Sequence, residues 1–145
     1  MKSLKVNKPF VLTAIAFACY YSVELCAIGF ATVFLRDEGV SKAGSGTIVA
    51  ASCIIAALLQ PALGRLCDKI PKLDWKRMST VMALILLACF TGSLLTKGAV
   101  LVAFYFAVII FPLCINPFLN ESCFYYGRRG INVNFGVVRG LGSFA

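Results

Sequence analysis

The sequence predicts an all-α, polytopic membrane protein, and three observations lead there. The 145 residues are 60% hydrophobic and only 14% charged, with mean hydropathy +0.88. Soluble domains carry about 25% charged and about 45–50% apolar residues. Four apolar runs each reach the roughly 20 residues a helix needs to cross a hydrocarbon core. Lys and Arg gather in alternate connections between those runs, as they do in membrane proteins of fixed orientation. This apolar content excludes a disordered tail. The 12 Gly follow no period of three, which excludes a collagen-like chain.

The elements follow in order. The first span covers about 10–35, an apolar run longer than the roughly 7–15 residues of a secretory h-region. The second covers about 47–66, the third 79–96 and the fourth 100–120. A fifth apolar stretch opens near Phe135 and is about 11 residues long at Ala145, too short to span. The chain is therefore expected to be the N-terminal part of a longer permease, whose C-terminal part would be missing, with a genuine four-span protein as the alternative. Gly39, Gly44 and Gly46 loosen the first connection. Pro71 sits in the charged second one, and Lys97-Gly98 makes a short turn. Such short connections imply antiparallel neighbours. Gly136 and Gly140 form a small-xxx-small pair suited to close helix packing.

The positive residues set the orientation. Lys2, Lys5, Lys8, Arg65, Lys69, Lys72, Lys76, Arg77, Arg128 and Arg129 fall on one side, against Arg36, Lys42 and Lys97 on the other. The positive-inside rule then places the N-terminus in the cytoplasm, at an inner or plasma membrane. The net charge of +8 is thereby mostly topology. A spanning bundle offers no groove reader, so nucleic acid is not an expected partner. The chain has no His, which removes His-based triads, metal ligands and proton relays. Its seven Cys form no C-x-x-C and lie mostly in apolar runs, where Cys behaves as a small hydrophobe. Phosphate loops and nucleophile elbows are absent. No enzyme activity, catalytic residue, cofactor or metal is expected.

Charges inside a membrane cost about 2.5–3.5 kcal/mol at a helix centre on insertion scales, so each is a functional candidate. Glu24 lies mid-way along the first span. It reads either as a proton or polar-cavity site or as a buried neutral carboxyl bonded to a neighbouring helix. Pro112 and Pro117 kink the fourth span and free backbone carbonyls. Asn116 and Asn120 share one face of it at i, i+4, with Glu121 beside them. Taken alone, Glu121 also fits an interfacial residue reaching water. Arg139 lies about ten residues past the interfacial pair Arg128 and Arg129, deep enough to need an acidic partner. Glu121 is the nearest in sequence, with snorkelling as the bland alternative. Asp68 sits where the second span leaves the membrane, free to pair with a cation or cap a helix N-terminus.

These residues resemble a known family. Gly64-x-Leu66-x-Asp68-Lys69 with Lys76-Arg77 is similar to the loop signature between the second and third helices of the major facilitator superfamily. Its second glycine and tight basic cluster are interrupted here by Pro71–Trp75. Gln60-Pro61 and Phe135-Gly136-x-x-Arg139-x-x-Gly142-Ser143 resemble the oligosaccharide:proton symporter branch. So does the spacing of Glu121, Arg128, Arg129 and Arg139. The resemblance covers nearly the whole chain and about a third of a full permease. It implies that Glu121 and Arg139 bind sugar hydroxyls and pair with each other. It also implies that Gly64, Asp68 and Lys69 belong to a conformational gate. Glu24 has no counterpart in that pattern.

The expected function is therefore sugar or oligosaccharide:proton symport by alternating access. The partners would be a small-molecule solute, protons and the lipid bilayer. Two alternatives stay open: a compact four-span proton-coupled drug antiporter using Glu24, and a non-transporting membrane scaffold.

Overall fold

The structure, a computed structural model, describes residues 8–70, 73–131 and 133–144. Lys2, Lys5, Pro71, Lys72 and Ala145, which entered the topology argument, lie outside the described residues. Among the described residues every regular element is helical. Helix α1 runs over Lys8–Glu24, a π turn over Leu25–Gly29, α2 over Ala31–Asp37 and α3 over Lys42–Lys69. Helix α4 covers Trp75–Leu95, α5 Gly98–Arg128 and α6 Phe135–Phe144. Four helices are long and apolar enough to cross a membrane: Lys8–Gly29, Lys42–Lys69, Trp75–Leu95 and Gly98–Arg128.

The helices outrun the apolar letters that announced them. Helix α5 continues through Asn120, Glu121 and Ser122 to Arg128, because polar residues at an interface keep helical backbone while their side chains reach water. Gly44 and Gly46, expected in a loop, lie inside α3. The helix starts have ordinary caps. The Ser41 hydroxyl accepts from the Gly44 N–H at 3.0 Å, and the Asp74 carboxylate accepts from the Trp75 N–H at 2.8 Å. Asn134 Oδ1 accepts from the N–H groups of Gly136 and Val137. These bonds satisfy first-turn donors that have no partner inside the helix. Two helices end alike. Gly39 and Gly130 have φ of 86° and 72°. Val40 donates to the Leu35 carbonyl and Gly39 to that of Arg36; Ile131 donates to Tyr126 and Gly130 to Gly127. This double bond pattern needs a left-handed residue, which glycine adopts without a Cβ clash.

Helix α5 is the centre of the bundle and packs against α4, α3 and α1. Helix α6 lies mainly against α1, and α2 against α3. The buried residues of α3 are Ser45, Ser52 and Ala56, small side chains that let two backbones approach closely. The close approach between α1 and α6 falls at Gly142. A Cβ there would sit 2.8 Å from Tyr21 Cδ2 and 3.0 Å from Phe17 Cβ. The expected pair, Gly136 and Gly140, is not where the helices meet: a Cβ at Gly140 meets nothing within 4 Å, and one at Gly136 meets only the Asn134 side chain. Ile54, Leu58, Leu84, Leu87 and Leu94 face outward. Water would penalise that surface, whereas lipid tails are as apolar as the side chains themselves.

Alternation of the helices brings Lys8, Arg65, Lys69, Lys76, Arg77, Arg128 and Arg129 to one end of the bundle. Arg36, Lys42 and Lys97 lie at the other. The Trp75 and Tyr125 rings meet edge-on at that first end, centroids 5.8 Å apart. Lys76 and Arg129 lie over the Tyr125 ring. Amphipathic rings beside cations are what a membrane–water boundary collects.

Candidate functional site

Two polar features, a buried seam and a cleft at one end of the bundle, hold most of the expected site residues; Lys69 and Arg139 line neither. The first is a buried seam between α1 and α5. The Tyr20 hydroxyl donates to the Pro112 carbonyl at 3.1 Å. Asn116 Nδ2 donates to that same hydroxyl oxygen at 3.1 Å, and Asn120 Nδ2 donates to Asn116 Oδ1 at 2.9 Å. Each bond dictates the next. Once the Tyr20 proton points at a carbonyl, its oxygen can only accept; this turns the Asn116 amide nitrogen toward it and its oxygen toward Asn120. The chain ends at Asn120 Oδ1, which is buried without a hydrogen-bond partner among the described residues.

Glu24 interacts electrostatically with the Tyr20 hydroxyl from one turn further along α1. It is the last residue before the π turn. It lines a cavity of about 390 Å³ with Tyr21, Ser22, Gly29, Gly142 and Ser143, between the first span and α6. Single π turns inside α-helices concentrate at functional sites. Asn116 and Asn120, which the sequence singled out, thus lie on this seam and Glu24 beside it. The sequence did not identify Tyr20, which joins them.

The seam has a mirror. The Tyr105 hydroxyl, on α5, donates to the Ala27 carbonyl, in the π turn, at 3.0 Å. Adding 85 to a residue number carries Tyr20 onto Tyr105 and Ala27 onto Pro112. Each span thus sends a tyrosine to the irregular backbone of the other. The same offset aligns Ala18-Cys19-Tyr20-Tyr21-Ser22-Val23 with Ala103-Phe104-Tyr105-Phe106-Ala107-Val108. A signal for Tyr20 was thus present in the sequence as a weak internal repeat.

The second feature is a cleft of about 540 Å³ at the Lys8 end, between α3, the start of α4 and α5. Gln60, Gly64, Asp68, Trp75, Glu121 and Arg128 are among its lining residues. Gly64 and Asp68 of the expected gate motif therefore face one space with Glu121, and Lys69 is not among the residues lining it. Asp68 and Lys69 are exposed, and Gly64 is half-buried. A Cβ at Gly64 would meet nothing within 4 Å, so that glycine is not held by packing. Glu121 forms an ion pair with Arg128, two turns along the same helix.

Arg139 does not take the partner expected for it. Its guanidinium lies 5.8 Å from the centre of the Phe135 ring on its own helix. Asn120 and Glu121 are neighbours in sequence but point about 100° apart on a helix of 3.6 residues per turn. One turns into the seam and the other into the cleft, where Arg139 is not among the lining residues.

Gln60 connects the two features. Its Nε2 donates to the Leu113 carbonyl at 3.0 Å. Pro117 has no N–H to give that carbonyl four residues back. A side chain from α3 thus supplies the hydrogen bond that the proline withholds. Among the described residues no group of three His, Cys, Asp or Glu could hold a metal ion. Searches of family models, curated proteins and solved structures find no match to this chain.

Proposed function

We propose that this chain is the N-terminal part of a secondary active transporter of the major facilitator type, moving a sugar or oligosaccharide with protons by alternating access. The observation that carries this reading is the reciprocal pair of tyrosine bonds. In that architecture each six-helix half contains two inverted three-helix repeats, with the solute near the midplane. Such a repeat exchanges spans 1, 2 and 3 with spans 4, 5 and 6. The bond from Tyr20 to Pro112 then has the bond from Tyr105 to Ala27 as its mate, as a two-fold contact requires. The same exchange turns the packing of the second span on the fourth (α3 on α5) into that of the fifth on the first (α6 on α1). Both packings occur.

Further support comes from the interrupted helices. The π turn of the first span and Pro112 of the fourth occupy equivalent positions under the exchange. Paired interruptions in corresponding segments are the best sequence-level pointer to a transporter's binding site. In this reading the polar seam and Arg139 face the solute. The cleft lined by Gly64, Asp68 and Glu121, with Lys69 next in sequence, is the gate on the cytoplasmic side, and the N-terminus is cytoplasmic in an inner or plasma membrane. Glu121 reaches sugar only if its ion pair with Arg128 opens. The test is uptake of radiolabelled disaccharides into proteoliposomes by the protein carrying this segment. Arg139→Ala and Glu121→Ala are expected to lower it by tenfold or more. Normal uptake by both variants would remove them from the site.

A further inference from the structure

Glu24 lines a cavity beside hydroxyl oxygens that have committed their protons elsewhere. The space of about 390 Å³ between the first span and α6 is bounded by Glu24, Tyr21, Ser22 and Ser143, among others. The Ser22 hydroxyl donates to the Ala18 carbonyl at 2.9 Å, and the Ser143 hydroxyl to the Arg139 carbonyl at 3.1 Å. Tyr20 lies one turn before Glu24 on the same face of α1. It interacts with the carboxyl group but donates across the bundle to the Pro112 carbonyl. A hydroxyl has one proton to give, so these three oxygens present lone pairs only. An ionised carboxylate at membrane depth needs a donor or a cation. A neutral carboxyl is itself a donor, and a shell of acceptors suits it.

The internal repeat shows that packing does not require this carboxyl. The offset of 85 that carries Tyr20 onto Tyr105 carries Glu24 onto Ile109, which is fully buried in the apolar cluster around Tyr105. The tyrosine-to-carbonyl contact thus forms beside an isoleucine in one copy and beside a carboxyl in the other. The titratable groups around Glu24 are Tyr20 and Tyr21 on α1, Cys26 in the π turn, and Tyr105 on α5, whose proton is committed to Ala27. Helix α6 brings Arg139, with its guanidinium over Phe135.

We propose that Glu24 is the protonation site that couples the ion to the solute, and that its charge decides where the Tyr20 hydroxyl points. This rests on the transport reading above and adds its ion site, at a residue with no counterpart in the family resemblance. With Glu24 neutral, Tyr20 donates to Pro112 and ties α1 to α5. When Glu24 loses its proton, the carboxylate becomes the stronger acceptor, because hydrogen bonds to ionised groups are about twice as strong as neutral ones. Tyr20 then turns to Glu24, and the tie to Pro112 opens. The Tyr20 proton stays on its own oxygen throughout. The transferred proton reaches the Glu24 carboxylate from water on one side of the membrane and leaves to water on the other.

The experiment uses the protein carrying this segment in proteoliposomes, as wild type, Glu24→Gln and Tyr20→Phe. Glutamine keeps the size of the neutral carboxyl and cannot ionise. Counterflow of a labelled neutral disaccharide needs no net proton movement, whereas accumulation under an imposed proton gradient does. Glu24→Gln is expected to keep counterflow within about twofold and to lose accumulation by about tenfold or more. Accumulation that survives in Glu24→Gln overturns the proposal. Infrared difference spectra between acid and alkaline buffer give a second reading that does not depend on transport. The wild type is expected to show a protonated-carboxyl band that Glu24→Gln lacks, and a tyrosine band that both variants lack. Spectra that Glu24→Gln leaves unchanged overturn the protonation site, even where the variants fail to transport. A tyrosine band that survives in Tyr20→Phe overturns the switch. Absence of uptake by the wild type overturns the transport reading, and the infrared spectra then still decide whether Glu24 binds a proton.

Discussion

The bond from Gln60 to the Leu113 carbonyl makes a prediction that can be worked through in numbers. Replacing Gln60 by Leu removes the only side-chain donor that carbonyl has among the described residues, and Pro117 supplies no backbone N–H in its place. A buried acceptor left unpaired costs about 1–3 kcal/mol. Hydrogen bonds between helices in a membrane average about 0.6 kcal/mol, with a maximum near 1.7, because the unfolded segments find other partners in the bilayer. The expected loss is therefore about 1 kcal/mol, or roughly fivefold in the unfolding equilibrium. Replacing Pro117 by Ala restores an N–H that bonds Leu113 within α5. In the P117A background, Gln60→Leu should then cost close to nothing. The assay is a double-mutant cycle by SDS titration in mixed micelles, read by tryptophan fluorescence from Trp75. A coupling of about 1 kcal/mol between the two sites is expected. Equal cost of Gln60→Leu in both backgrounds would refute the argument that the side chain substitutes for the missing N–H.

Other outcomes follow from particular contacts. Gly142→Ala should weaken the α1–α6 contact by about 1–3 kcal/mol through overpacking against Phe17 and Tyr21, whereas Gly140→Ala should leave stability within about 0.5 kcal/mol; thermal unfolding in detergent compares them. Tyr20→Phe and Tyr105→Phe each remove one tyrosine-to-carbonyl bond and should each destabilise by about 1 kcal/mol. Tyr20→Phe should cost more, since the Asn116 amide also loses its acceptor. Equal losses on SDS titration would count against the amide chain. In intact cells, Lys97→Cys should react with an impermeant maleimide and Lys76→Cys should not; the reverse pattern would invert the proposed orientation.

The four spans were legible because twenty apolar residues in a row have few other uses. Their ends were not, since α5 carries helical backbone through Asn120–Arg128 in letters that also suit a loop. The π turn Leu25-Cys26-Ala27-Ile28-Gly29 was invisible: five apolar or small residues look alike in any helical hydrogen-bond pattern. Among the candidate residues, Glu24, Asn116 and Asn120 stood out because polar groups are expensive in lipid. Tyr20 did not, because a tyrosine in an apolar run reads as packing until its hydroxyl is given a partner. Pairing Glu121 with Arg139 treated nearness in sequence as nearness in space. Helical rotation sends Glu121 to the cleft and to Arg128, while Arg139 stays on α6 over Phe135. The glycine contact was misplaced for a similar reason. Spacing of three or four marks a face, but only the crossing point of α1 and α6 selects Gly142 from it.

The claim that this bundle is one part of an alternating-access transporter is tested most directly by solute counterflow. Proteoliposomes containing the protein that carries this segment are loaded with unlabelled disaccharide and diluted into a trace of the labelled sugar. The account predicts transient accumulation of label above equilibrium, lost with Arg139→Ala. An imposed proton gradient should drive net uptake. Label that never exceeds the protein-free control, across a panel of neutral disaccharides, would contradict it.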